Sequence, residues 1–161
     1  MNLYERVFGS GPLGIVASVA LLLVAAAVKP FLSVGALGLS AAVRWGVLAG
    51  TAAAAAALAT WCVHALPIRQ RGRGLCQTGP YHFVRHPFYA AFLSIFDFGL
   101  ALFLNHAVFL LWAVLLHPLW HWLIRYEEGL LRREFGDAYR DYAARTGRFL
   151  PRLSAFRRSR S

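Results

Sequence analysis

Three long stretches of this chain are almost free of charge, and that constrains its fold more than any motif does. No Asp, Glu, Lys or Arg falls between residues 7 and 28 or between 45 and 68, and only Asp97 interrupts the run from 86 to 124. A hydrocarbon core is crossed by about 17–25 helical residues, and a backbone inside it must satisfy its own hydrogen bonds, which a helix does. The chain therefore reads as an all-α integral membrane protein. With 58% hydrophobic and 15% charged residues, its composition agrees. The expected transmembrane helices are 11–28, 45–66, 87–104 and 107–124, four in all, or five if 29–44 contains a further membrane segment.

The organisation expected is a single membrane domain. Residues 1–74 supply the first spans, 75–151 a helical hairpin and tail, and 152–161 a basic tail. Residues 1–10 carry one acid and one base, and no clear small-residue cleavage site follows the first apolar run, so a retained helix is expected rather than a removed signal peptide. Lys29 and Arg44 are the only basic residues on one side of a four-span arrangement; every other arginine falls on the other. The positive-inside rule then puts both termini in the cytoplasm, with an inner membrane of bacterial type as the setting. The net charge of +10 is matched to membrane lipids and not to nucleic acid, because the arginines flank spans and lack an interleaved aromatic platform. Cys62 lies within a span and Cys76 in a loop, so no disulfide is expected and no metal-type cysteine pair exists.

The hairpin has a polar end. Residues 87–104 lead to a turn at Asn105-His106, and 107–124 return, so positions 86 and 125 lie at similar depth. Pro87 suits the first turn of a helix, where its missing N–H costs nothing. Arg125-Tyr126-Glu127-Glu128 places two carboxylates where the chain leaves the bilayer, an unfavourable position unless cations offset them; Arg85 and Arg125 are the expected partners. Beyond them Leu131, Phe135, Ala138, Tyr139 and Tyr142 recur at helical spacing, an amphipathic helix bent near Gly136 that can fold back over the hairpin. Within the spans, Asp97, His117 and His121 could meet as a hydrogen-bonded set or line a tunnel, a metal site being the lesser alternative. The alanine-rich 51–60 offers a small surface for close packing against the hairpin or a second copy.

Taken together, Gly79-Pro80-Tyr81, Arg85-His86-Pro87-Phe88-Tyr89, Glu127-Glu128, Phe135-Gly136-Asp137-Ala138-Tyr139, Tyr142 and Arg148-Phe149-Leu150-Pro151 resemble the isoprenylcysteine carboxyl methyltransferase family and its phospholipid methyltransferase relatives. The resemblance runs from about residue 75 to 151. It implies methyl transfer from S-adenosyl-L-methionine at the membrane face to a lipidic or small-molecule acceptor, isoprenylcysteine-carboxylate-like in the leading form. Carried over by position, Tyr81, His82, Phe83 and Val84 line the adenosine side, Arg85 belongs to the same run, and His86 and Tyr89 hold the methionine portion. Glu127 or Glu128 binds the cofactor's ammonium group or supports the residues that do. Arg125 is assigned to an anionic group of the substrate, and His86 or His82 to proton acceptance if the acceptor is an amine or phenol. Gly74 stands where the family has a glutamine, and Ala90-Ala91 follow the motif tyrosine where a glycine is usual; both bear on the acceptor more than on the cofactor.

Two other classes compete. Membrane sterol and steroid reductases carry a similar Arg-His-Pro-x-Tyr segment and bind NADPH, although adjacent glutamates would repel a 2′-phosphate. A non-catalytic helical membrane protein would use the same polar cluster only as an interfacial anchor.

Overall fold

The computed structural model describes residues 9–33, 35–70 and 73–152. Arg6, Arg71 and the basic residues beyond Arg152 lie outside them. Helix α1 spans Gly11–Val28, α2 Ala41–Ala65, α3 Pro87–Phe103 and α4 Ala107–Arg145. α1, α2 and α4 are long and apolar enough to cross a membrane, and α3 is a shorter apolar helix. Among the described residues, 29–44 contains no additional crossing; after a short 3-10 turn, Lys29–Phe31, it packs onto the hairpin turn. There Ala107 N–H donates to Gly35 O at 2.7 Å and Leu39 N–H to the Asn105 side chain at 3.0 Å. Asn105 reverses the chain at φ 58°, a left-handed conformation that asparagine tolerates, and His106 caps α4 by accepting from Val108 N–H.

The helices are held by small residues and by polar groups that find partners locally. Gly14 allows α1 against α4: a Cβ there would lie 2.4 Å from the Trp120 ring. Trp112 and Trp120 both donate to Ser18, to its carbonyl at 3.0 Å and its hydroxyl at 2.9 Å, so two indoles are satisfied where water is absent. Gly99 of α3 receives Thr51 of α2 in the same way, so the alanine-rich helix packs on the hairpin, one of the two expected arrangements. Arg44 donates to the Phe103 carbonyl at 2.6 Å, capping the end of α3. α2 begins at Ala41, four residues earlier than expected, because Ser40 accepts from Val43 N–H and caps it.

Two helices differ from a regular reading. α3 is π-helical over Ala91–Phe96, and its wider turn shifts the register across the hairpin. Ser94 thereby comes within 3.5 Å of His117 Nε2, and Asp97 forms no pair with His117 or His121 among the described residues. α4 covers 39 residues in two helical parts that meet at a kink at Gly136. It runs through Pro118, leaves the apolar region after Ile124 and continues as the expected amphipathic tail. Gly136 interrupts it with φ 52°, ψ −126°, which glycine adopts without steric cost.

Candidate functional site

The tail returns to the start of α3, and this contact builds the site. Gly79 opens a short 3-10 turn, Gly79–His82, at φ 57°. The connector that follows runs beside residues 147–148: Val84 bridges Gly147 in parallel, Arg85 N–H donates to Gly147 O at 2.8 Å and His86 N–H to Arg148 O at 3.0 Å. Gly147 admits no side chain, because a Cβ would lie 1.8 Å from the Leu150 carbonyl. The Tyr142 hydroxyl donates to Tyr81 O at 2.6 Å, tying the turn to α4.

The adjacent glutamates are in different surroundings. Glu128 is buried. Its Oε1 accepts from Arg85 Nε at 2.9 Å and its Oε2 from Arg148 Nη2 at 2.7 Å and Nε at 3.1 Å. Arg85 also donates to the carbonyls of Ala143, at 2.9 Å, and Thr146. Burial alone would raise the Glu128 pKa, but the His86 ring beside it, the hydrogen bonds from Arg148 and the charge of Arg85 outweigh it and hold the carboxyl well below its usual range. The same burial pushes the Tyr139 and Tyr142 phenols up.

Glu127 is partly exposed, and among the described residues it has no Lys or Arg partner. Its Oε2 accepts from Tyr89 OH and from Ser10 N–H, each at 3.2 Å, and its Oε1 lies 3.8 Å from His86 Nδ1. The His86 ring is buried and stacks on Tyr89 with 12° between planes. Its Nε2 stands 3.6 Å from Glu128 Oε1 and has no hydrogen-bond partner among the described residues. Gly9 touches Glu127: a Cβ there would be 2.5 Å from Oε2.

The expected residues thus divide. His86, Tyr89 and Glu127 face one another, while Arg85 and Glu128 form the ion pair that holds the tail. Phe83 and Val84 line an apolar groove of about 340 Å³ with Leu58, Trp61, Ile95 and Phe149. His82 is exposed and meets Phe83 edge-on at 5.3 Å, and Tyr81 contributes its carbonyl. Arg125 is not the second cation on the acidic pair; Arg148 is. Arg125 projects instead toward a cavity between α1 and α4 that shares no lining residue with the groove. Two participants lay outside the sequence reading of the site. Arg148 stood within a recognised motif, but its partner is 20 residues earlier. Ser10 carried no signal at all.

Fold and site define an all-helical membrane protein with a polar cluster where its hairpin leaves the apolar layer. The family model described as phospholipid methyltransferase matches residues 36–138, well over half of the chain, and the protein belongs to that family. A curated relative, the nickel-cobalt-cadmium resistance protein NccN of Alcaligenes xylosoxydans xylosoxydans, is 38% identical over 100 residues, 60% of this chain and 45% of that protein. The chain therefore spans about half the length of that relative. No solved structure matches it.

Proposed function

We propose that this protein transfers a methyl group from S-adenosyl-L-methionine to an acceptor with an apolar chain, at the cytoplasmic face of the membrane. One observation carries the reading: among the described residues Glu127 is a carboxylate with no guanidinium on it, and its Oε1 faces Nδ1 of a buried imidazole whose Nε2 has no hydrogen-bond partner. That donor set fits an α-amino acid end, with Glu127 for its ammonium and His86 and Tyr89 for the neighbouring polar atoms. Glu128 is already neutralised by Arg85 and Arg148, which favours Glu127 as the binding member of the pair. The turn from Tyr81 to Val84 offers the adenosine side.

When bound, the cofactor supplies a methyl carbon activated by a positive sulfur, so that holding an acceptor in line with it provides much of the rate. The chain's own residues would orient both partners and exclude water. The apolar groove beside Phe83, Val84 and Phe149 suits the acceptor's chain, and it lies against the same connector that carries His86. A carboxylate acceptor on an isoprenoid-like chain needs no base; for an amine or phenol, His86 is the nearest proton acceptor. Arg125, expected to meet an anionic group of the acceptor, stands away from this groove and is considered below.

Calorimetric titration of the detergent-purified protein with S-adenosylhomocysteine, and in parallel with NADPH, tests the reading. Saturable binding of S-adenosylhomocysteine, lost in Glu127→Ala and His86→Ala but kept in an exposed control such as Arg133→Ala, is the expected result. Binding of NADPH alone would move the protein to the reductase class. Binding of neither would favour the anchoring role.

A further inference from the structure

We infer that the cavity between the start of α1 and α4 is a binding site for an anionic phospholipid, distinct from the methyl acceptor's groove. It is an open cavity of about 560 Å³, lined among the described residues by Gly9, Ser10, Leu13, Trp122, Leu123, Arg125 and Tyr126, a size in the ordinary range for small-ligand sites. Its position is that of a lipid headgroup. α1 begins at Gly11 and the apolar part of α4 ends at Ile124, so Arg125 sits where the hydrocarbon gives way to phosphate. Ser10 joins the two helices here, its hydroxyl donating to Leu123 O at 3.1 Å and its N–H to Glu127, so α1 and α4 are tied together at the rim of the cavity.

Charge selects the ligand. Arg44, Arg85, Arg140, Arg145, Arg148 and Arg152 all donate hydrogen bonds to protein acceptors. Arg125 makes no hydrogen bond or ion pair among the described residues, and it opens onto this cavity. A guanidinium in that position matches a phosphodiester with two parallel N–H bonds. Trp122, Tyr126 and Leu13 are 65%, 65% and 62% exposed around it. They provide an interfacial aromatic pair and an apolar wall for the glycerol and the upper acyl chain. A free phosphate would use only the arginine, whereas a phospholipid uses the whole lining, so the lipid is the occupant proposed.

Native mass spectrometry of the full chain, released from detergent containing equal amounts of phosphatidylglycerol and phosphatidylcholine with the same acyl chains, tests the assignment without any cofactor. The expected result is one retained phosphatidylglycerol, preferred by about five-fold, the factor that one cation near an anionic headgroup supplies. That preference should vanish in Arg125→Gln and persist in Arg133→Gln, another exposed arginine on α4. Trp122→Ala should reduce retention of both lipids. Equal retention of the two lipids by the unaltered protein, or an unchanged preference in Arg125→Gln, would overturn the proposal. Complete displacement by excess inorganic phosphate would overturn its lipid part, because an anion alone would then suffice.

Discussion

Glu127 and Glu128 are neighbours in sequence and opposites in environment, so one substitution at each separates binding from architecture. In Glu128→Ala, Arg85 loses its carboxylate partner and Arg148 loses both its short contacts. Removing one partner of a buried ion pair costs about 3–5 kcal/mol. The lower end applies here, because Arg148 is a quarter exposed and Arg85 keeps two carbonyls. About 3 kcal/mol is a shift of roughly 150-fold in the equilibrium between a docked and a released tail, at 1.4 kcal/mol per decade. Glu127→Gln, by contrast, removes charge from a partly exposed carboxylate whose two long hydrogen bonds come from neutral donors, and should cost about 0.5–1 kcal/mol. Limited trypsin digestion in detergent reads the difference directly. Cleavage after Arg140 and Arg145 should accelerate by about two orders of magnitude in Glu128→Ala and by less than tenfold in Glu127→Gln, whereas S-adenosylhomocysteine binding should weaken in Glu127→Gln with the tail still protected. A tail released equally by both substitutions would refute the division of roles; so would a protected tail in Glu128→Ala.

Three further outcomes follow from the geometry. Glu128 has a lowered pKa in the folded protein, so its contribution is fully present above the usual carboxylate value near 4.5 and declines as the pH falls below it; thermal unfolding scans from pH 7 to pH 3 should show that decline in the native chain and a shallower one in Glu128→Ala. Gly147→Ala places a methyl against the Leu150 carbonyl and should release the tail as Glu128→Ala does, read by the same digestion, while Gly136→Ala meets no neighbouring atom but must hold φ 52°, ψ −126°, outside the left-handed helical well, and should cost about 1–3 kcal/mol of backbone strain in thermal unfolding. Gly14→Leu should separate α1 from Trp120 and break the indole's bond to Ser18, lowering the midpoint of thermal unfolding in detergent by several degrees.

The membrane architecture was legible because it depends on long-range composition: uncharged runs and the charges that bound them place α1, α3 and the apolar part of α4 to within a few residues. Pro87, Asn105 and Gly136 marked a start, a turn and a break through backbone preferences that any sequence displays locally. The site was legible in its members more than in its pairings. Arg85 beside an acidic pair followed from electrostatics, but the choice of Arg148 over Arg125 did not, because it depends on how far the tail travels after Gly136 before turning back. The Asp97–His117 pairing fails for a related reason. It assumes a uniform rise per residue, and six residues of π-helix are invisible to hydrophobic periodicity. Ser10 reaches Glu127 across 117 positions, a contact made by helix packing and by no feature of its own neighbourhood.

The pairing of residues 84–86 with 147–148 also sets an order of assembly. Arg85 is synthesised well before its acceptors at Glu128, Ala143 and Thr146, and the connector has no strand-like neighbour until Gly147 has emerged. All four helices can therefore be in the bilayer while the polar cluster is still incomplete. The cluster closes only when the tail has returned, so a ribosome that stops short of Arg148 leaves a protein inserted in the membrane with that cluster unfinished.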